Sequence, residues 1–142
     1  MARGTESIAE ERTRLTLDVA IEAVRAEGYR YKWDAATATI RLAGVAAAES
    51  GWPGDLGLLL NTLGADGQPL PVLVLGSHST FPGCRVPAHA IGLLEVGFAG
   101  DRQALVLAVP TADPAREAVL GPDGLPAAVR AALASAVACE RP

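Results

Sequence analysis

The spacing of apolar residues near the start of the chain predicts a β-strand. Every second residue from 15 to 21 is Leu, Val or Ile, as expected when alternate side chains share one face of a strand. Leu17, Ile21 and Val24 would also share one face of a helix, so a helix remains an alternative for this segment. Residues 1–14 carry many charges, and we expect a helical or frayed lead-in there.

Comparable patterns farther along the chain predict more strands and then helix. Aromatic residues alternate with charged ones in the first of these segments, and the later segments are short apolar runs. The predicted strands cover residues 29–33, 40–42, 72–75, 90–96 and 104–109. Asp113-Pro114 predicts a helix start, with a side-chain cap and a proline in the first turn. Leu or Val recurs at every fourth position from 125 to 137, which indicates a final amphipathic helix. These elements predict a mainly β fold with α: a small closed five-stranded barrel with one or two C-terminal helices.

The composition fits one domain over residues 1–142 and narrows the possible partners. Half of the residues are hydrophobic, yet no apolar run reaches the roughly 18 residues of a membrane-spanning helix. The net charge of −4, without a basic run, argues against a nucleic-acid partner. The first residues lack the apolar core of a signal peptide, and Cys84 and Cys139 are too few for a disulfide framework. We therefore expect a cytoplasmic protein with no membrane partner.

An acidic loop precedes the apolar run at 72–75. The loop reads Asp66-Gly67-Gln68-Pro69-Leu70-Pro71, and Val72-Leu73-Val74-Leu75 follows it. Carboxylate oxygens in such a loop suit Mg²⁺, and a buried strand behind them fixes their positions. The segment resembles the signature of family I soluble inorganic pyrophosphatases, in which Asp-Gly-Asp-Pro, an apolar residue and Asp precede a Val-Leu-Val strand.

The resemblance extends over nearly the whole chain, because further fragments match that family in order and nearly in spacing. They are Tyr29-Arg30-Tyr31-Lys32-Trp33-Asp34, Ile40-Arg41-Leu42, Trp52-Pro53-Gly54-Asp55-Leu56-Gly57, Asn61-Thr62-Leu63, Phe81-Pro82-Gly83-Cys84, Ile91-Gly92-Leu93-Leu94, Leu107-Ala108-Val109-Pro110 and Gly124-Leu125-Pro126. The resemblance implies an OB-like barrel, Mg²⁺-dependent hydrolysis of pyrophosphate, and a homo-oligomer for which a hexamer is the common form.

The chain departs from the family pattern mainly where the family has charged residues. Of the three aspartates in the signature only Asp66 is kept, with Gln68 and Pro71 at the other two positions. Phe98 and Gln103 stand where the family has further metal-binding aspartates. A site with so few carboxylates cannot assemble several Mg²⁺ ions. The sequence therefore predicts no metal, no cofactor and no efficient pyrophosphatase activity.

Other positions change their charge or become apolar. Leu105 replaces a phosphate-binding lysine of the family, and Leu56 replaces a tyrosine. Lys32 stands where the family has a glutamate, which reverses the charge. Arg30 keeps a cation at a lysine position, and Asp18 matches a glutamate of the first strand. These changes predict a site with apolar walls and a few polar groups.

An apolar cleft with a few polar groups is the usual form of a pocket for an organic ligand. Our leading hypothesis is therefore a repurposed pyrophosphatase fold that binds, and acts on, a largely apolar small molecule. A metal-independent cyclase or isomerase in a bacterial biosynthetic pathway would fit. The candidate catalytic residues are Asp66 as acid or base, with Arg30 or Lys32 steering an anionic or carbonyl group. The predicted pocket residues are Asp18, Leu56, Gln68, Pro71, Phe98, Gln103 and Leu105.

Two alternatives to this hypothesis remain open. The first is a non-catalytic pseudoenzyme that acts through oligomer or partner surfaces, with the ancestral site filled by core. The second is a residual inorganic pyrophosphatase. An open pocket beside Asp66 would favour the leading hypothesis, and a filled site would favour the pseudoenzyme. Asp66 would equally serve to cap a turn.

Overall fold

The computed structural model describes residues 16–24, 29–45, 52–60, 69–98 and 101–139. Seven strands and one α-helix lie within these ranges. The strands are β1 (Thr16–Ala23), β2 (Tyr29–Asp34), β3 (Thr39–Val45), β4 (Asp55–Leu59), β5 (Leu70–Val74), β6 (Arg85–Phe98) and β7 (Asp101–Pro110). The helix, α1, spans Ala127–Cys139 and follows two short 3₁₀ turns at Pro114–Arg116 and Pro122–Gly124.

Five of these strands close into a barrel in the order β1-β4-β5-β7-β6. Neighbouring strands are antiparallel, except that β5 and β7 run parallel. Closure stabilises the sheet because no strand in the barrel is left with an unpaired edge. The prediction of a mainly β fold with a closed five-stranded barrel and a C-terminal helix is confirmed.

Alternate residues of the strands fill the barrel interior. Val19 and Ile21 of β1 belong to one buried cluster with Val72 and Val74 of β5. Because these residues are two positions apart in each strand, their side chains point to the same face. The alternation near the start of the chain therefore marks a strand, and the alternative of a helix there is wrong.

A second apolar cluster lies between the outside of the barrel and α1. Leu73 of β5 and Leu107 of β7 share this cluster with Leu133 and Ala136 of the helix. Burial of a leucine side chain contributes roughly 1.5–3 kcal/mol, so this cluster is a large part of what holds α1 in place. The final amphipathic helix predicted from the spacing of Leu and Val is confirmed.

The hairpin of β2 and β3 forms a separate two-stranded sheet outside the barrel. The N–H of Trp33 donates to the carboxylate Oε2 of Glu22 at 2.6 Å, which ties the hairpin to β1. The sequence pattern predicts both strands of the hairpin, but neither belongs to the barrel. The fifth barrel strand is β4, a segment in which apolar and polar residues do not alternate. In the described part of the chain, no helix has the length and apolar character needed to cross a bilayer.

Candidate functional site

Three residues predicted to line the pocket lie on one outer face of the barrel. Leu56 of β4 lies opposite Leu73 of β5, and Leu73 lies opposite Leu107 of β7. Alternate residues of a strand share a face, so Pro71 and Leu105 lie on this same face, two positions earlier in β5 and β7. Barrel closure and strand register therefore bring Leu56, Pro71 and Leu105 to a common surface.

This outer face is packed against α1. Leu105 is fully buried in the same cluster as Leu133 and Ala136 of the helix. Leu56 is partly buried and packs against the edge of that cluster. A cleft around Leu105 would leave part of its side chain exposed to water, and this is not observed. The apolar residues at positions 56 and 105 therefore take part in the cluster that the barrel shares with the helix.

Asp18, another predicted pocket residue, lies on the strand pair formed by β1 and β6. Its carboxylate Oδ1 accepts a hydrogen bond from Nε of Arg85 at 3.1 Å, and Nη2 of Arg85 donates to Oδ2. The hydrogen bond to Asp18 raises the pKa of Arg85 above its ordinary value. Sequence reasoning did not single out Arg85, because the two residues are 67 positions apart and only strand pairing brings them together.

Lys32, a candidate catalytic residue, lies on the exposed surface of the hairpin. It sits directly opposite Arg41 in the pairing of β2 with β3. Nε of Arg41 is 3.6 Å from the carboxylate Oδ2 of Asp34, so this carboxylate partly neutralises the charge of Arg41. Like charges directly opposite each other on paired strands repel. The pairing therefore places two cationic side chains next to each other on the exposed surface of the hairpin.

For the remaining predicted site residues the structure gives only part of a description. Asp66 and Gln68 lie outside the described residues. Arg30 lies on β2, Phe98 ends β6 and Gln103 lies on β7. The structure describes the backbone of these three residues but not their side chains. The roles predicted for these five residues stay predictions.

Two buried charged residues, Asp55 and Arg116, were not singled out from the sequence. Asp55 is almost fully buried at the start of β4 and accepts hydrogen bonds from Thr80. Arg116 is buried after β7, and its Nε donates to the carbonyl oxygen of Leu75 at 2.9 Å. Asp55 follows Gly54 and precedes Leu56, and Arg116 is followed by another charged residue, Glu117, so neither local sequence marks a buried polar position. Their partners lie 25 and 41 positions away and become visible only in the fold.

The described residues do not fit the divalent cations that the resemblance implies. Within 16–24, 29–45, 52–60, 69–98 and 101–139, no three His, Cys, Asp or Glu side chains form a group that could hold a metal ion. Pro71 and Leu105 offer hydrocarbon surface at positions where the resembled family has aspartate and lysine. Because Mg²⁺ binds oxygen ligands, this face lacks the chemistry to hold it.

Comparison with known proteins identifies the family. A family model for inorganic pyrophosphatase matches residues 19–135. The chain belongs to the inorganic pyrophosphatase family. The inorganic pyrophosphatase of Streptomyces coelicolor is 36% identical over 100 residues, which are 70% of this chain and 61% of that protein. The inorganic pyrophosphatase of Nostoc sp. is 37% identical over 98 residues, 69% of this chain and 58% of that protein.

Solved pyrophosphatase structures share the fold. The Helicobacter pylori inorganic pyrophosphatase superposes with a TM-score of 0.74 at 26% identity, covering 83% of this chain and 71% of that one. The Thermus thermophilus enzyme gives a TM-score of 0.70 at 27% identity, covering 83% and 68%. The chain spans about half to three fifths of the length of the curated relatives it matches.

These findings correct the functional hypothesis drawn from the sequence. The matched relatives are named inorganic pyrophosphatase, so the prediction of a repurposed fold that binds a largely apolar small molecule, as a cyclase or isomerase, is wrong. Its physical basis also fails at Leu105, whose side chain is fully buried in an apolar cluster. The same comparisons do not support the pseudoenzyme alternative or the biosynthetic role, although the burial of Leu105 taken alone would suit a filled site. The remaining alternative, a residual inorganic pyrophosphatase, agrees best with family membership.

Proposed function

We propose that the chain acts on inorganic pyrophosphate and hydrolyses it slowly to two phosphate ions. The observation that carries this proposal is the family match over residues 19–135. Curated relatives at 33% to 38% identity, all named inorganic pyrophosphatase, support the same substrate. The closed barrel with its C-terminal helix is also the architecture of solved pyrophosphatases.

The proposed reaction uses residues that the chain retains. The oxygen of water forms a bond to one phosphorus atom, the bond from that phosphorus to the bridging oxygen breaks, and phosphate leaves. Asp66 is proposed to accept the proton of the attacking water as general base. Lys32 and Arg30 are proposed to attract and orient the anion, since fixed positive charge favours the charge that develops in the transition state. The exposed Lys32 beside Arg41 on the hairpin supports this assignment.

A low rate follows from the replaced side chains. Loss of one electrostatic stabiliser typically lowers kcat by roughly 10²–10³-fold. Several charged positions of the family are replaced here, among them those of Pro71 and Leu105. The losses do not simply add, because groups that act as a unit lose most of their effect together. We expect phosphate release above the uncatalysed rate but well below that of relatives with the full set of carboxylates.

The test is release of phosphate from pyrophosphate by the purified chain, with and without added Mg²⁺. Asp66→Asn is expected to abolish the release, and Lys32→Ala is expected to raise KM. Asp123→Asn is the matched control, since Asp123 is an exposed carboxylate on the second 3₁₀ turn. A wild-type rate equal to buffer would refute the activity. A rate that Asp66→Asn leaves unchanged would refute the assigned base.

The proposal extends to assembly and location. We propose one domain that forms a homo-oligomer, with a hexamer as the expected form, in the cytoplasm. Tyr29 and Leu42 on the hairpin are more than half exposed, and contact with another copy would remove such apolar surface from water. Light scattering over a concentration series tests the assembly. A mass that stays at 14.5 kDa would refute it.

A further inference from the structure

The apolar side chains on the outer face of the barrel do not suit the divalent cations that the family resemblance implies. Leu56, Pro71 and Leu105 lie on this face. Leu105 belongs to an apolar cluster that includes residues of the helix, and Leu56 packs against that cluster. We infer that this face is the packing surface for α1 and that the protein, without pyrophosphate, takes up no divalent cation there. The inference concerns the free protein, so it does not depend on hydrolysis.

The burial of Leu105 is the first support. Its side chain is fully buried in one cluster with Leu133 and Ala136 of α1. A cation at this position would have to displace apolar side chains of this cluster or lose its water to hydrocarbon. An unpaired charge in such surroundings is strongly unfavourable. The position is therefore occupied by packing.

The chemistry of β5 is the second support. Pro71 has no side-chain oxygen, and it lies opposite Leu58 of β4. The backbone of β5 is paired with β4 on one side and with β7 on the other. By sequence, residues 61–68 contribute one carboxylate, that of Asp66. Mg²⁺ needs six oxygen ligands, and one or two carboxylates hold it only together with substrate phosphates and water.

The cation arm of the test uses Mn²⁺ as a paramagnetic probe, added to the full chain without pyrophosphate. Methyl signals of Leu56 and Leu105 are followed by NMR as Mn²⁺ is raised to millimolar concentration. The inference predicts that these signals broaden no more than those of Leu93, an exposed leucine of β6. Selective broadening of Leu56 and Leu105 would overturn it.

The packing arm compares lysine substitutions at a buried and an exposed leucine. Leu105→Lys is expected to lower Tm by about 10 °C or more, because it places a charge in the buried cluster that includes residues of α1. Leu93→Lys is the matched control, since the Leu93 side chain is 64% exposed, and its Tm should stay near that of the wild type. Equal Tm values for the two variants would overturn the inference.

A second pair of variants keeps the inference testable if the Leu105→Lys protein does not fold. Leu105→Ala leaves a cavity in this buried cluster and should lower Tm by roughly 5 °C or more, whereas Leu93→Ala should not. Equal Tm values for these two would again overturn the inference. Phosphate release is measured in neither arm, so failure here and failure of the proposed hydrolysis are distinguishable.

Discussion

The carboxylate of Asp55 accepts two hydrogen bonds from a single residue, Thr80. Its Oδ2 lies 2.7 Å from the backbone nitrogen and 2.8 Å from the hydroxyl oxygen of Thr80. Asp55 begins β4 and is 1% exposed, whereas Thr80 lies in the connection between β5 and β6. The contact fixes this connection to the start of the strand that carries Leu56.

Substitutions at these two residues should separate the two hydrogen bonds. Asp55→Ala should lower the free energy of unfolding by about 2–4 kcal/mol, because two partly buried donors of Thr80 lose a charged acceptor. Thr80→Val removes only the hydroxyl bond and should cost about 1 kcal/mol, while Thr80→Ser, which keeps the hydroxyl, should cost less. Urea unfolding measures all three. An Asp55→Ala protein as stable as Thr80→Ser would contradict this account.

Asp113 joins the segment after β7 to the segment after β5. Ser77 donates to it through its backbone N–H at 2.7 Å and through its hydroxyl at 2.8 and 2.9 Å. The N–H of Ala115 donates at 3.0 Å, which also caps the first 3₁₀ turn. Burial raises the pKa of Asp113, but these hydrogen bonds and the charge of Arg116 outweigh it, so the pKa lies below its ordinary value. The predicted helix start at Asp113-Pro114 is confirmed as a short 3₁₀ turn.

This lowered pKa predicts how stability depends on acid. A folded-state pKa below the unfolded value of about 3.9 means that the ionised carboxylate stabilises the fold above that pH. The contribution is lost as the pH falls through the lowered pKa of Asp113. Asp113→Asn lacks it, so its free energy of unfolding should fall less than that of the wild type as the pH drops below about 4.

Urea unfolding at a series of pH values checks the acid prediction. Ser77→Ala, which keeps the backbone donor but loses the hydroxyl, should give an intermediate dependence. Some acid dependence should persist in Asp113→Asn, because the hydrogen bond from Thr37 lowers the pKa of Asp34 as well. Wild type and Asp113→Asn with the same dependence below pH 4 would refute the assignment to Asp113.

Ala38, in the turn between β2 and β3, has a positive φ of 54°. A left-handed conformation costs a residue with a Cβ atom roughly 1–2 kcal/mol, whereas glycine adopts it readily. Ala38→Gly should therefore raise the free energy of unfolding by about 0.5–1 kcal/mol, after allowing for the greater freedom of glycine in the unfolded chain. Ala36→Gly, in the same turn, is the control and should not stabilise. A thermal melt with no gain for Ala38→Gly would contradict the prediction.

The strand pattern in the sequence is informative only where one face of a strand differs from the other. β1 alternates because Val19 and Ile21 face the barrel interior while Asp18 faces water. β4 does not alternate, since Leu59 packs against the interior cluster and Leu56 against the outer one. A strand covered on both faces carries no period of two, and this is why β4 was missed.

The candidate site was predictable in its residue types but not in its packing. A leucine at position 105, where the family has lysine, is compatible with an apolar pocket or with a filled core. The outcome depends on where α1 lies against β7, which no local pattern specifies. The same limit applies to Arg85, whose pairing with Asp18 follows from closure of the barrel between β6 and β1.

The pair of Asp18 and Arg85 gives the last prediction. Both side chains are about half exposed, at 50% and 51%, so water and salt screen their attraction. The guanidinium donates to both carboxylate oxygens, which is the favourable two-point geometry for such a pair.

We expect Asp18→Asn and Arg85→Gln each to lower Tm slightly at low salt. The double variant should lose no more than the larger single loss, because each substitution already breaks the pair. Thermal melts of the four proteins at low salt and at about 1 M NaCl, where the Debye length is near 3 Å, measure the coupling. Losses that add fully at low salt, or coupling that persists unchanged at high salt, would contradict a solvent-screened ion pair between Asp18 and Arg85.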